Sequence, residues 1–163
     1  HPPLYRPRYR AGSVTAPVTF RPARRDEVPA VLELLRDGPP DHPRDATDLT
    51  GSLAAYDAMQ ADPATDLILG LIADDIVTCY QIVVILGLSL TATRRAQIEG
   101  VRVRADLRGQ GIGAALMQDA ETRARAAGCT LLQLTSNRQR GDAHRFYDRL
   151  GFTPSHIGYK KSL

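Results

Sequence analysis

The sequence predicts a single domain of mixed α/β class. Three observations lead to this prediction. Short segments in which apolar and polar residues alternate are interleaved with longer segments of helical periodicity. The composition, with 43% hydrophobic and 24% charged residues, is that of a globular protein. The 163 residues can bury the core of one domain, and no apolar run reaches the roughly 18 residues that a membrane-spanning helix requires.

The first half of the folded region begins with a strand and an amphipathic helix. Val18 and Phe20 alternate with polar neighbours, and Asp26 is a suitable N-cap for a helix that Gly38-Pro39-Pro40 ends. Asp74-Asp75 indicates a hairpin further along. The predicted elements are a strand at 18–20, a helix at 28–35, an acidic loop at 41–48, a helix at 49–56 and strands at 66–73 and 76–90.

The second half contains a strand that leads through a glycine-rich turn into a long helix. The predicted elements are a strand at 97–104, a helix at 112–127, a strand at 129–135, a helix at 143–150 and a strand at 152–159. The order β-α-α-β-β-β-α-β-α-β has no repeat and no internal boundary. We therefore expect one domain over residues 17–163, preceded over residues 1–16 by an extended arm or the remnant of a tag.

The net charge of +3 originates in this arm. Arg6, Arg8 and Arg10 lie among the first twenty residues, and removing them from the 21 basic residues leaves 18, against 18 acidic residues. The folded region is therefore neutral, and we expect it to bind neither nucleic acid nor a membrane surface. The two cysteines have no metal-binding spacing and no secretory signal is visible, so we expect no metal and a cytoplasmic location.

The segment from Val101 to Leu116 carries the clearest chemical information. Its turn, Arg108-Gly-Gln-Gly-Ile-Gly113, combines three glycines, the N-terminal amides of a helix and a cationic side chain, which predicts a phosphate or pyrophosphate site. A dinucleotide-binding fold is disfavoured because no acidic residue ends the next strand, and a P-loop because no Gly-Lys-Ser/Thr follows. The alternative is a tight strand–helix turn without a ligand.

Two motifs resemble those of the GCN5-related N-acetyltransferase (GNAT) family. The turn Arg108–Gly113 resembles the family's acetyl-coenzyme A motif, Q/R-x-x-G-x-G/A. The run Asn137…Ala143-His-Arg-Phe-Tyr147-x-x-Leu-Gly-Phe152 resembles its closing motif. The resemblance covers about residues 17–162, and residues 135–163 are also similar to the small bacterial acetyltransferases that include aminoalkylphosphonate N-acetyltransferases.

This resemblance implies a mostly antiparallel sheet that splays open between its fourth and fifth strands and is flanked by about four helices. The pantetheine arm of acetyl-coenzyme A, a cosubstrate, would lie in that gap beside the backbone of Val101 and Val103. A β-bulge there would direct one N–H toward the thioester carbonyl. The implied activity is acetyl transfer to the primary amine of a small molecule or peptide by direct attack in a ternary complex, and a homodimer is compatible with the family.

The resemblance also assigns roles to individual residues. Tyr147 occupies the general-acid position and Glu99 a position where the family often has a carboxylate base. Core packing is the alternative for Tyr147, and a solvated strand position is the alternative for Glu99. His144 is expected at the surface or at the edge of the cofactor. The residues expected to bind the cofactor are Val101, Arg102, Val103, Arg108, Gly109, Gln110, Gly111, Ile112, Gly113, Ala114, Asn137, His144, Phe146 and Tyr147.

Other chemistry and other functions remain open at this point. Cys79 and Cys129 lack the neighbours that lower a thiol pKa, so burial is expected rather than a covalent acetyl-enzyme. The acceptor would enter between residues 38–56 and 89–96, where aspartates suit a cationic amine and Arg94-Arg95 an anionic group. One alternative function is a non-catalytic acyl-coenzyme A sensor of the same fold. Another is a nucleic-acid-binding protein that uses its Tyr/Arg-rich arm.

Overall fold

The computed structural model describes residues 9, 17–36 and 48–163. One five-stranded sheet, in the order β1-β2-β3-β4-β5, forms its centre. The first four strands pair antiparallel and β5 joins β4 in parallel, which confirms the predicted mixed, mostly antiparallel sheet. The strands are β1 (Thr19–Pro22), β2 (Thr65–Ile72), β3 (Asp75–Ile85), β4 (Arg95–Val103) and β5 (Leu131–Leu134).

Helices cover both faces of this sheet, and the central strands β2 and β3 are accordingly buried at consecutive positions, Ile68–Ile72 and Asp75–Tyr80. The helices are α1 (Val28–Arg36), α2 (Leu49–Ala61), the short α3 (Ser89–Ala92), α4 (Ile112–Ala126) and α5 (Gly141–Arg149). Residues of α1 and α2 share one buried cluster with Leu69 and Cys79. Residues of α4 share another with Tyr80 and Ile98, and α5 packs against that second cluster.

A partly buried ion pair joins β1 to the start of α1. Arg21 donates two hydrogen bonds of 2.7 Å to the carboxylate of Glu27, which also accepts from the backbone N–H of Arg24 at 2.8 Å. The pKa of Glu27 is lowered, chiefly by the bond from Arg21, against the opposing effect of burial. The carboxylate therefore stabilises the helix entry in its ionised form.

The strand β4 contains a β-bulge in its pairing with β3, and it pairs with β5 over only part of its length. Glu99 lies opposite Gln81 and Arg102 opposite Cys79, so two residues of β4 face the single residue Tyr80. This is a β-bulge, and its first residue, Gly100, has the left-handed φ of 59° that favours glycine. The pairing with β5 extends only from Arg95 to Ile98. The predicted bulge and the opening between the fourth and fifth strands are therefore both present.

Two strand predictions are wrong, one in the existence of the strand and one in its end. The strand expected at 152–159 does not form: these residues have no regular structure, and most are exposed. Pro154 lacks the N–H that a strand pairing would use, which weakens any ladder in that segment. The strand expected at 76–90 ends at Ile85, where the chain becomes exposed at Leu86, Gly87 and Leu88.

Some predicted features fall outside the described residues. These are the acidic loop apart from Asp48, the Gly-Pro-Pro stop and all of the arm except Tyr9. In the described part of the chain, no helix combines the length and the apolar character needed to cross a membrane.

Candidate functional site

The glycine-rich turn is an exposed loop with buried ends. Gly109 and Gly111 adopt left-handed φ values of 76° and 83°, and a Cβ at either position would meet no atom within 4 Å. Glycine is therefore required there by backbone conformation, and space remains above the turn. On either side of the turn, Leu107 and Ile112 are buried in one cluster, which fixes the ends of the turn while Arg108–Gly111 face solvent.

The turn ends at the N-terminus of α4. The N–H of Ala115 donates to the carbonyl of Gly111 at 3.1 Å, which is the first bond of the helix. The amides of Ile112, Gly113 and Ala114 precede that bond and have no partner within the helix. No acidic residue lies in the first helical turn. Unpaired amides, the helix dipole and the nearby Arg108 together make a site suited to an anion.

The half of β4 beyond the bulge has one open edge. The carbonyl of Arg102 accepts from the Thr78 hydroxyl at 2.7 Å and the N–H of Arg104 donates to Val77 at 2.8 Å, so these residues use their backbone toward β3. The alternation of an antiparallel ladder then directs the backbone of Val101 and Val103 toward the opening beside β5.

Arginine side chains cover the two carbonyls on that edge. The Nη1 of Arg102 donates to the Val101 carbonyl at 2.8 Å, and the Nε of Arg108 donates to the Val103 carbonyl at 3.3 Å. The Nε of Arg102 is buried and has no hydrogen-bond partner among the described residues. Two guanidinium groups therefore lie at this edge, and the Nε of Arg102 is available to donate a further hydrogen bond.

Aromatic residues of α5 close the other side of the opening. A Cβ on Gly113 would lie 3.1 Å from the ring of Phe146, so the glycine permits α5 to approach the start of α4. The ring of Tyr147 packs edge-on against Phe146 at 5.3 Å and against Phe152 at 5.7 Å, between ring centroids. Val101 and Tyr147 pack against the same buried cluster. The structure therefore brings together the two predicted motifs.

Burial and the nearby positive charges have opposite effects on the pKa of Tyr147. Burial raises the pKa of Tyr147, while the positive charges of Arg140 and Arg102 act to lower it. Burial also lowers the pKa of Arg102, and the charges of Arg140 and Arg108 add to this effect. The tyrosine hydroxyl is consequently held protonated at neutral pH, next to a group of cations.

Asn137 and His144 hold the turn that leads into α5. The side-chain oxygen of Asn137 accepts from the N–H of Gln139 at 2.9 Å, and its carbonyl accepts from the Nε2 of His144 at 2.8 Å. Both side chains thus have partners within the chain. Their expected contacts with the cofactor stay predictions.

Glu99 lies on the other face of the sheet from Val101. Its strand neighbour Ile98 belongs to the α4 cluster, so alternation directs Glu99 toward the α1/α2 side, where it is exposed opposite Gln81. Gln110 and Ala114 are exposed at the turn. The side chain of Ile112 is buried, so only its backbone can reach a ligand.

Sequence reasoning missed two features of the site. The side chains of Gln97 and Gln133 form a 2.7 Å hydrogen bond across β4 and β5. This pair depends on the parallel register, for which the sequence contains no signal. The contact of Gly113 with Phe146 was also missed, although a third glycine inside a helical pattern is a sign of close packing.

The cysteines have no nucleophilic environment. Burial raises the pKa of Cys79 to about 12 and also raises that of Cys129. Thiols with raised pKa values are poor nucleophiles at neutral pH. Over residues 9, 17–36 and 48–163, no three His, Cys, Asp or Glu side chains are grouped as a metal site would need.

Comparisons with known proteins identify the family of the chain. The model of the acetyltransferase (GNAT) family matches residues 28–152. The aminoalkylphosphonate N-acetyltransferase of Salmonella typhimurium strain LT2 is 45% identical over 67 residues, which cover 41% of this chain. That match spans only 44% of the relative's own length.

Solved structures with the same fold extend over most of the chain. A transcriptional regulator of Bacillus halodurans C-125 superposes with a TM-score of 0.84 and 35% identity, covering 90% of this chain and 99% of that one. An acetyltransferase of Trypanosoma brucei superposes with a TM-score of 0.72 and 22% identity, covering 90% of this chain and 100% of that one. The second comparison bears on the fold alone.

Proposed function

Because the chain belongs to the acetyltransferase (GNAT) family, we propose that it transfers the acetyl group of acetyl-coenzyme A to a primary amine by direct attack in a ternary complex. One observation carries the proposal. The glycine-rich turn, the open edge of β4 and the hydroxyl-bearing ring of Tyr147 border the same opening in the sheet.

The residues present fit a ligand with phosphates and an extended amide arm. The pyrophosphate binds the unpaired amides at the start of α4, with Arg108 beside them. The pantetheine amides pair with the backbone of Val101 and Val103 as an added strand. In doing so they replace the arginine side chains on the two carbonyls, and the buried Nε of Arg102 supports a role for that guanidinium toward the bound ligand.

The chemistry needs one base and one acid. The neutral amine attacks the thioester carbon, the new C–N bond forms, and the C–S bond breaks to release a thiolate. Glu99 accepts the proton that the nitrogen loses, and Tyr147 gives a proton to the thiolate. Solvent restores both groups afterwards. Tyr147 can fill this role because a tyrosine, whose ordinary pKa is about 10, carries its proton at neutral pH.

The two faces of β4 separate these tasks. Glu99 lies toward the α1/α2 side and Tyr147 toward the α4/α5 side. An amine that enters beside Glu99 therefore attacks one face of the planar thioester carbonyl, from the side of β4 opposite Tyr147. This arrangement supports direct transfer rather than a covalent enzyme intermediate, for which neither cysteine is suited.

For the acceptor, we propose a small amine that also carries an anionic group. Arg95, Gln97 and Glu99 occupy alternate positions of β4 and therefore share a face, with about 13 Å between the first and last Cα atoms. The Nε of Arg95 is buried without a partner among the described residues. A cation and a carboxylate on one strip suit the anion and the ammonium of an aminoalkylphosphonate, the compound class in the name of the Salmonella relative.

A second candidate is a sensor that binds acyl-coenzyme A without turnover. The similarity to the Bacillus halodurans transcriptional regulator favours it. The sensor also requires the glycine-rich turn and the open β4 edge. It differs from the enzyme in needing neither Glu99 nor Tyr147.

Calorimetry with acetyl-coenzyme A, followed by free-thiol release in the same sample, separates these candidates. The acceptors are an aminoalkylphosphonate, the matching amine without the phosphonate, and a peptide with a free amine. We expect binding, and release that is fastest with the aminoalkylphosphonate. Binding without release from any acceptor favours the sensor, and absence of binding overturns the proposed site at the glycine-rich turn.

A further inference from the structure

Two charged side chains are buried at the end of the sheet that adjoins the glycine-rich turn. Asp75, the first residue of β3, is 5% exposed, and Arg104, which directly follows β4, is 9% exposed. Burial of a carboxylate or a guanidinium is unfavourable unless each group has hydrogen-bond partners. The hydrogen-bond partners of these two residues therefore show which group binds at this end of the sheet.

Tyr9 supplies those partners from the N-terminal arm. Its backbone N–H donates to the carboxylate of Asp75, and its carbonyl accepts from the Nη2 of Arg104. The Arg104 guanidinium carbon lies 5.9 Å from the centroid of the Tyr9 ring. Both backbone groups of one residue are thus recognised by buried charges. We call Asp75 and Arg104 the arm notch.

The arm notch is connected to both ends of the glycine-rich turn. Arg104 also donates to Asp106 with bonds of 2.7 and 3.1 Å, and Asp106 belongs to the short 3-10 helix that leads directly into Arg108. The Tyr9 ring packs against the buried cluster that contains Leu107 and Ile112, the residues on either side of the turn. Tyr9 therefore contacts the supports of the turn, although it is about a hundred residues away in sequence.

From these contacts we propose that Tyr9 is a positioning residue, and that Tyr9 docked in the notch holds the glycine-rich turn in the conformation that binds acetyl-coenzyme A. The proposal rests on the proposed function of that turn. The occupant of the notch is Tyr9 of the same chain. By thermodynamic linkage, docking of Tyr9 that favours cosubstrate binding must itself be strengthened when the cosubstrate is bound.

Substitutions at Tyr9 separate the backbone contacts from the ring. Tyr9→Phe keeps the N–H, the carbonyl and the ring, and we expect unchanged kinetics. Tyr9→Ala removes the ring and keeps both backbone groups, whereas Tyr9→Pro removes the ring and also the N–H that donates to Asp75, so the difference between these two variants measures the contribution of the N–H. For both we expect the KM for acetyl-coenzyme A to rise about 5- to 20-fold, within the usual range of coupling between sites, with kcat within about twofold of wild type. Tyr159→Ala, at an exposed position, is the matched control.

Limited trypsin cleavage of the wild-type protein tests the reverse direction without relying on a variant. Cleavage after Arg8 acts on the Arg8–Tyr9 bond, and cleavage after Arg10 acts on the Arg10–Ala11 bond, one residue further along. We expect saturating acetyl-coenzyme A to slow it at least fivefold. An unchanged cleavage rate, or a wild-type KM in Tyr9→Pro and Tyr9→Ala, overturns the proposal. Failure of the proposed function is distinct, since it appears as absence of acetyl-coenzyme A binding by the wild-type protein.

Discussion

The two halves of β4 differ although they belong to one continuous strand. From Arg95 to Ile98 the strand is paired on both sides, and Ala96 and Ile98 are almost fully buried. From Glu99 onward it has β3 on one side only, and Val101 and Val103 are half-buried. The closed half holds the sheet together. The open half leaves backbone groups available to a ligand, and the glycine bulge marks the transition.

The largest predicted effect is a loss of activity on substitution of Tyr147, which borders the open half of β4. We expect Tyr147→Phe to lower kcat about 100-fold or more, because it removes the proposed acid for the thiolate but keeps the packed ring. Free-thiol release under saturating acetyl-coenzyme A and acceptor measures kcat. The melting temperature should stay close to that of wild type.

Tyr159→Phe is the control for that substitution, because Tyr159 is 91% exposed. A Tyr147→Phe variant with wild-type turnover would remove the tyrosine from the mechanism and favour the sensor.

The closed half should respond in stability instead. Ile98 is 2% exposed between the sheet and α4, so Ile98→Ala leaves a cavity in the core. We expect the free energy of unfolding to fall by about 3 kcal/mol. Urea unfolding measures this change. Activity per folded molecule at low temperature should remain, and its selective loss would contradict the division between the two halves.

The bulge itself can be tested with a smaller change. Gly100→Ala places a side chain at φ 59°, with no atom within 4 Å of the new Cβ, so only backbone strain is added. We expect a loss of about 1 kcal/mol in unfolding free energy and weaker acetyl-coenzyme A binding by calorimetry, since the register of Val101 depends on the bulge. Gly87→Ala, which has open space and ordinary φ, is the matched control. Equal effects of the two substitutions would deny the bulge a special role.

The smallest predicted effect is the pH dependence of stability that the ion pair between Arg21 and Glu27 causes. The pKa of Glu27 is lowered by its bond to Arg21. Its stabilising contribution is therefore present above the unfolded value of about 4.3 and is lost as the pH falls through the lower folded value. Melting temperatures of wild type and Glu27→Gln should differ at pH 7 and converge as the pH falls below the lowered folded pKa of Glu27. A difference that is constant across this range would exclude the ion pair as its cause.

The sequence was sufficient for features that depend on local patterns. Apolar patterns and helical periodicity located the four longer helices and all five strands that form, because burial in the core imposes such patterns. The glycine-rich turn was also predictable, since two of its residues require left-handed φ. Spacing in the closing motif predicted α5, and the structure then adds its contact with Gly113.

Features that depend on distant partners were not predictable. Helical spacing alone places Asp119 and Arg123 next to each other on α4, but Asp119 also accepts a 2.5 Å bond from the buried hydroxyl of Tyr80. The seat of Tyr9 between Asp75 and Arg104 joins three remote segments. A single sequence does not show which distant residues will meet, because these contacts form only once the sheet has assembled.

The open edge of β4 has a further consequence in the absence of any ligand. An open sheet edge of the kind proposed here to bind the pantetheine arm can equally pair with a strand from another polypeptide, which is a route to aggregation. The guanidinium groups of Arg102 and Arg108 occupy the two carbonyls where such pairing would begin. The same side chains that would yield to the cosubstrate thus shield the unliganded protein from association through this edge.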